Sequence, residues 1–173
     1  MRLISPRLVL RPLERRDLQQ SRLWVNDPEI AALLLRILPV SEIEQERWFE
    51  NLCTQPDRYV WAVEVDDHYI GNMGLYHIDF IHRRAEIWTL IGEQAWRGKG
   101  LGQESMTLLL DYAFHGLGLN KVYLHVDEEN INAQKMYEKL GFVREGILVA
   151  EYFIQGRFRT ILRMRLLVAE RSV

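Results

Sequence analysis

Cysteine is nearly absent from this chain, which carries only Cys53 among its 173 residues. A single thiol cannot form a disulfide within the chain or supply a cysteine-rich metal site, so disulfide scaffolds and zinc-finger modules are excluded. Long apolar runs are missing too, and stretches such as 31–35 are far shorter than the roughly 18 residues that a membrane helix needs. We therefore expect no membrane-spanning helix.

An excess of charge of one sign is also lacking, because 22 Lys and Arg residues balance 24 Asp and Glu residues to a formal net charge of −2. Such a chain has no general attraction for nucleic acid or for an anionic bilayer, so neither partner is expected. The first residues carry no apolar segment followed by a small-residue cleavage site, which predicts no secretory signal. Together with the lone thiol, this favours a cytoplasmic location.

What is present is an ordinary globular composition, with 48% hydrophobic and 27% charged residues and no linker or repeat. We predict a single domain over residues 1–173. Hydrophobic periodicity predicts an α/β order with one central strand–helix–strand unit. The strands are expected near 8–10, 59–65, 69–76, 85–91, 121–126, 151–155 and 157–167, and the helices near 17–25, 42–53, 103–117 and 132–140. A further helix is expected to begin at Pro28 after the cap Asp27, and the helix 42–53 is expected to bury Ile43, Trp48, Phe49 and Leu52.

A glycine-rich loop separates the strand near 85–91 from the most regular helix. Its sequence, Arg97-Gly98-Lys99-Gly100-Leu101-Gly102, interleaves three glycines with two cations. Glycine permits positive φ and close backbone approach, and the first N–H groups of the helix have no internal partner. The loop therefore predicts a binding site for an anion, most naturally a phosphate, although a plain strand-to-helix turn is the alternative.

The loop matches the Q/R-x-x-G-x-G/A signature of the GNAT superfamily of acetyl-CoA-dependent N-acetyltransferases. RRAEIWTLIG before it and NINAQKMYEKLGFVREG after it resemble the branch that holds ribosomal-protein N-terminal acetyltransferases and bacterial spermidine N-acetyltransferases. The resemblance covers nearly the whole chain. It implies a GNAT fold, in which a mixed, mostly antiparallel sheet opens between the strands 85–91 and 121–126 and carries helices on both faces.

The resemblance also implies that acetyl-CoA, as co-substrate, lies in this opening with its pyrophosphate on the loop. The pantetheine arm would pair with the backbone of the strand before the loop. The implied cofactor-binding residues are Thr89, Leu90, Ile91, Arg97, Gly98, Lys99, Gly100, Leu101, Gly102, Gln103, Asn130, Asn132 and Lys135.

Two residues are candidates for proton transfer. Tyr137 matches the tyrosine of the family's Y-x-K-L-G-F segment and would protonate the departing thiolate; from spacing alone, a core tyrosine is the simpler interpretation. Glu86, at the start of the strand beside the opening, could take the amine proton directly or through water, or could be a surface carboxylate paired with Arg83 or Arg84. No Cys–His pair is evident, which favours direct attack of the amine on the thioester.

The five histidines lack metal-ligand spacing, so no metal is predicted, and His125 is interpreted as a packed strand residue.

The acceptor is expected to be a small amine such as a polyamine, diamine or aminosugar. A protein N-terminus or lysine is the first alternative, and a non-catalytic CoA-binding module is the second. Glu42, Glu46 and Glu50 form an acidic helix stripe that either attracts a polycation or is merely solvated. The family implies a homodimer or larger homo-oligomer.

Overall fold

The computed structural model describes residues 1–171, which build an eight-stranded sheet and five α-helices. The strands are β1 (Leu3–Ile4), β2 (Val9–Pro12), β3 (Tyr59–Val65), β4 (His68–Asp79), β5 (Arg84–Ile91), β6 (Lys121–Asp127), β7 (Val143–Ile154) and β8 (Arg157–Leu167). The helices are α1 (Leu18–Asn26), α2 (Pro28–Leu33), α3 (Glu42–Thr54), α4 (Leu101–Asp111) and α5 (Ile131–Lys139).

The sheet has the order β1-β2-β3-β4-β5-β6-β8-β7. Every neighbouring pair is antiparallel except β5 and β6, which run parallel and are joined through α4. A parallel pair needs such a crossover, whereas the antiparallel pairs β3–β4 and β7–β8 are joined by tight turns. The expected mixed, mostly antiparallel sheet is therefore confirmed.

Helices cover both faces of the sheet. Successive side chains of a strand point to opposite faces, and the central strands carry apolar side chains on both. On one face α4 and α5 pack on β5 and β6, and Met106 and Leu109 are fully buried there with Ile87 and Val122. On the other face α1, α2 and α3 form two smaller clusters, one of which joins Trp24 to β5. Strand β5 thus presents a different helical layer to each of its sides.

The sequence also predicts several helix starts that the structure shows. Asp27 accepts hydrogen bonds from the N–H groups of Glu29 and Ile30 ahead of α2. Ser41 and Glu44 form a reciprocal capping box at the start of α3. These caps satisfy N–H groups that a helix leaves unpaired, so short helices are held at fixed places on the sheet.

Three sequence predictions differ from the structure. Strand β7 runs from Val143 rather than from residue 151, because two register irregularities and a positive φ at Ala150 break the alternation that reveals a strand. The helix expected over 103–117 is α4 followed by one π-helical turn, in which the N–H of Leu117 reaches the carbonyl of Tyr112. Ile43, expected to be buried in α3, is exposed.

No helix within 1–171 is long and apolar enough to cross a bilayer.

Candidate active site

The central opening arises where β5 and β6 separate. The two strands pair over three positions only, the last being Glu86 opposite Tyr123. Beyond it, β5 stays bonded to β4 as far as Ile91, and β6 stays bonded to β8 as far as Asp127. Each strand follows its own half of the twisted sheet, which leaves a cleft of about 620 Å³ between them. This is an ordinary size for a small-molecule site.

The glycine-rich loop closes one end of this cleft. Gly98 and Gly100 have φ values of 73° and 79°, the left-handed region that glycine adopts without strain. Within residues 1–171, no acceptor bonds the peptide N–H groups from Gly98 to Gln103, whereas the N–H of Glu104 bonds the carbonyl of Gly100. A row of free N–H groups at the N-terminus of α4 is a suitable site for a phosphate or pyrophosphate.

Two arginines hold the loop from opposite sides. Arg97 donates from Nε to the carbonyl of Ile91 at 2.9 Å and from Nη2 to that of Gly92 at 2.8 Å. Arg7 donates from Nη1 to the carbonyl of Lys99 at 3.0 Å and from Nε to Glu104 at 2.6 Å. The loop is therefore fixed to the end of β5 and to the N-terminal segment, so its free N–H groups are held in place.

Tyr137 reaches the cleft from the face covered by α4 and α5. It lies on α5, whose start is capped by Asn130, and its side chain is 8% exposed beside Phe142. Burial raises the pKa of the Tyr137 phenol to about 12, because the charged phenolate is poorly solvated there. The hydroxyl therefore keeps its proton through the neutral range and can act as a donor.

Glu86 lies at the point of separation, on the opposite face. Its Oε1 is 2.8 Å from Nδ1 of His125 on β6, and its Oε2 is 3.8 Å from Nε2 of His77 on β4. The pairing with Arg83 or Arg84 that the sequence allowed is wrong, because Arg83 donates to the carbonyl of Gly118 and Arg84 faces Asp79. The carboxylate lines the cleft instead.

Comparison with known proteins gives the same picture. A family model described as an acetyltransferase (GNAT) domain matches residues 7–143. Spermidine N(1)-acetyltransferase of Escherichia coli (strain K12) is 36% identical over 155 residues, covering 90% of this chain and 83% of that protein. The crystal structure of spermidine N-acetyltransferase from Vibrio cholerae in complex with CoA and spermine has a TM-score of 0.91 at 35% identity, covering 96% of this chain and 98% of that chain.

A dodecameric structure of spermidine N-acetyltransferase from Vibrio cholerae in an intermediate state matches with a TM-score of 0.82 at 36% identity, covering 94% of this chain and 95% of that chain. The chain belongs to the GNAT acetyltransferases. It is an acetyl-CoA-dependent N-acetyltransferase with the GNAT fold, and acetyl-CoA is its co-substrate. The resemblance first carried by residues 97–102 is confirmed.

Most of the residues that the GNAT resemblance implies do line this acetyltransferase cleft. Lys99 and Lys135 do not: Lys99 places Nζ 4.8 Å from the ring centroid of Trp96, and Lys135 is exposed on α5. The loop glycines and the first residues of α4, rather than these two lysines, are therefore the part of the loop that lines the cleft. The implied residues that line it are Glu86, Thr89, Leu90, Ile91, Arg97, Gly98, Gly100, Leu101, Gly102, Gln103, Asn130, Asn132 and Tyr137.

His125 was missed as a site residue. Its interpretation as a packed strand residue is wrong, because its side chain is 29% exposed, lines the cleft and bonds Glu86. The sequence held one usable signal. If β5 and β6 are parallel neighbours with Glu86 opposite Tyr123, then His125, two residues further, must lie on the same face as Glu86.

The remaining wall of the GNAT cleft is mainly apolar. Leu33–Leu35, at the end of α2, contribute to it together with Trp88 and Tyr152. Asp127 also lines the cleft, but Arg159 pairs with its Oδ2 at 2.7 Å. The acidic stripe of α3 lies elsewhere, where Glu46 pairs with Arg15. That stripe therefore lies outside the cleft and is partly paired with Arg15. Glu86 is the carboxylate without a cationic Lys or Arg partner among the cleft residues that the structure describes.

Replacing Gly100 with alanine should weaken acetyl-CoA binding about 10-fold. The left-handed backbone conformation at this position costs an alanine roughly 1–2 kcal/mol, so a smaller fraction of the protein holds the loop in the conformation that binds acetyl-CoA. Gly102→Ala is the matched control: a Cβ there meets Met136 Sδ at 3.6 Å and Ile91 Cγ1 at 3.8 Å, which are ordinary contacts. Isothermal titration calorimetry of both variants measures the two dissociation constants. Equal constants would show that the shape of the loop does not govern binding.

Proposed function

We propose that this chain transfers the acetyl group of acetyl-CoA to a primary amine of a small polyamine, within a complex that holds both substrates. The observation that carries the proposal is the separation of β5 from β6. It brings the free N–H groups of the loop, the protonated phenol of Tyr137 and the carboxylate of Glu86 to one cleft. The related acetyltransferase that binds CoA and spermine supports a polyamine as acceptor, because it covers nearly the whole chain.

Glu86 would prepare the acceptor for attack. An alkyl ammonium with a pKa near 10.4 is almost fully charged at pH 7, and reaching the neutral amine costs about 4–5 kcal/mol. A carboxylate at the point of separation attracts the ammonium and accepts its proton, directly or through water. Burial of the bound amine in the largely apolar cleft would lower this cost further.

Tyr137 would complete the reaction from the other face of the sheet. Attack of the amine on the thioester carbon expels a thiolate, whose conjugate thiol has a pKa near 8.5, and a proton donor favours that departure. The buried phenol holds its proton at neutral pH and lies on the α5 side, whereas Glu86 lies on the α1–α3 side. Acid and base would therefore act on opposite sides of the same carbon.

The backbone of β5 would hold the rest of the co-substrate. Beyond Glu86, β5 has no partner strand on its β6 side. Peptide groups of Thr89–Ile91 can therefore pair with the amide groups of a pantetheine arm, in the manner of an added strand. A peptide N–H near Leu90 or Ile91 would stabilise the oxyanion that forms during attack.

Direct attack is favoured over an acetylated enzyme intermediate. The chain's single cysteine, Cys53, is exposed on α3 and does not line the cleft. Initial rates measured against both substrates should give intersecting lines, and Cys53→Ser should retain full activity. Parallel lines, or loss of activity in Cys53→Ser, would contradict direct attack.

The acceptor is tested with an amine panel read out by release of free thiol and by product mass. We expect acetyl-CoA to raise the melting temperature, and spermidine or spermine to be acetylated with a higher kcat/KM than aminosugars or peptides. Turnover of peptide amines alone would favour the protein-acetylating alternative. Binding of acetyl-CoA with no turnover of any amine would favour a non-catalytic CoA-binding module.

Tyr137→Phe should lower kcat about 100-fold or more, the usual contribution of a general acid, and leave the dissociation constant of acetyl-CoA unchanged. Because burial raises the pKa of Tyr137 to about 12, the phenol stays protonated at every pH below that value, so its ionisation should not limit the wild-type rate between pH 7 and about 10. Tyr59→Phe, at an exposed position on β3, is the control. An unchanged kcat in Tyr137→Phe would remove the phenol from the reaction.

We also propose that the chain forms a homo-oligomer through the β7–β8 hairpin. Val149 and Phe158 are 77% and 67% exposed, and β7 is the edge strand of the sheet. Exposed apolar side chains on an unpaired edge favour association, and the dodecameric relative supports it. Light scattering should give a mass of at least two chains, and Val149→Glu should reduce it. A wild-type monomer at micromolar concentration would contradict this proposal.

A further inference from the structure

The carboxylate of Glu86 lies between two imidazoles that come from the neighbouring strands. His125 on β6 is 2.8 Å from Oε1, and His77 on β4 is 3.8 Å from Oε2. The first distance is a hydrogen bond and the second is too long for one. One oxygen of Glu86 is therefore held by His125, and the other remains free to accept a proton.

The position of His125 is fixed by the strands rather than by its own flexibility. Its strand is bonded to β8 on one edge, where it lies opposite Arg163, and it pairs with β5 up to Tyr123 on the other. The His125 ring packs edge-on against Tyr123 at 5.8 Å, and the guanidinium of Arg163 lies 4.1 Å above the same tyrosine ring. A stacked, strand-mounted imidazole can orient a hydrogen-bond partner accurately.

His77 is brought to the same place by an irregularity of β4. Strict alternation would send Tyr76 and His77 to opposite faces, but the register with β5 shifts after Tyr76 and His77 has a φ of 52°. A bulge of this kind redirects a side chain, and a non-glycine residue with positive φ is held there only by its surroundings. The His77 imidazole is consequently near Glu86 without occupying its second oxygen.

We propose that His125 is a positioning residue for Glu86 in the acetyl transfer. Resting on the proposed role of Glu86 as base, the inference is that His125 Nδ1–H donates to Oε1 and directs Oε2 toward the acceptor ammonium. The proton balance of the reaction agrees with this arrangement. The ammonium gives one proton to Glu86, which passes it to solvent. Tyr137 protonates the thiolate of CoA, and the second amine proton replaces the one that Tyr137 gave up.

The location of the pair distinguishes this role from a purely structural one. Both side chains line the cleft and are only partly buried, at 29% for His125 and 23% for Glu86. A partly exposed hydrogen bond contributes little to stability, since water competes for both groups. A hydrogen bond to a carboxylate that must accept a proton, in contrast, affects both its orientation and its protonation.

The decisive experiment is a mutant cycle on Glu86 and His125, with kcat/KM for the amine measured against pH. Glu86→Gln should lose about 100-fold and His125→Leu about 10-fold, the scale of a general base and of a hydrogen bond to a charged group. In the double variant the losses should not multiply. His125→Asn, whose amide N–H can replace Nδ1–H, should recover most of the activity, and acetyl-CoA affinity should stay unchanged throughout.

The pH profile supplies a second signature. The ionised carboxylate loses a donor in His125→Leu, so the acidic limb should move to higher pH, and His125→Asn should move it back. The titratable and charged groups around the pair are His77 and Tyr76 from β4, Arg84 from β5, Tyr123 from β6 and Arg163 from β8. His77 is the closest of these groups to Glu86. The pH profile of His77→Asn shows how much His77 contributes to the position of the acidic limb.

The outcomes separate the two proposals. If Glu86→Gln keeps full activity, the role of Glu86 as base is wrong and the positioning role falls with it. If Glu86→Gln is impaired while His125→Leu matches wild type in rate and pH profile, only the positioning role is wrong. The positioning role is also wrong if the losses of the two single variants multiply in the double variant. His115→Leu, at an exposed histidine outside the cleft, is the matched control. Should His125→Leu fail to fold, His125→Gln, which lacks a donor at the Nδ1 position, replaces it.

Discussion

The separation of β5 from β6 after Glu86 is the constraint on which the rest of this structure depends. A sheet that stayed fully paired would satisfy its own backbone and leave no room for a ligand. Here the two halves are held apart by their outer neighbours, β4 and β8, so the opening exists before any substrate binds. A cleft of this kind exposes unpaired strand edge, and a ligand with amide groups can satisfy it.

The same separation places the two proposed proton-transfer groups, Tyr137 and Glu86, on opposite faces of the sheet. Residues on one side of β5 pack with α4 and α5, and those on the other side pack with α1, α2 and α3. A buried phenol can therefore approach the opening from one layer and a partly exposed carboxylate from the other. The two groups experience different surroundings, and burial on the α5 side keeps Tyr137 protonated.

The sequence predicted the central unit of this fold well, because its signals there are local. The periodic helix after 97–102, the alternating strands around it and the loop glycines each follow from neighbours in the chain. Strand β7 was mostly missed because its bulges and the positive φ at Ala150 depend on pairing with β8. His125 was missed for a related reason: its contact with Glu86 spans 39 positions and requires the strand register, which no local pattern gives.

The cleft also limits how a polyamine can be recognised. Asp127 is already paired with Arg159, and the acids of α3 lie outside the cleft, so Glu86 is the carboxylate left to meet an ammonium among the described cleft residues. The walls offered by Leu33–Leu35 and Trp88 suit methylene groups, each worth about 0.8 kcal/mol when buried. Recognition would then rest on one ammonium and the alkyl chain beside it. The remaining ammonium groups of a long polyamine would stay in solvent, because burying them unpaired would cost more than the alkyl contacts gain.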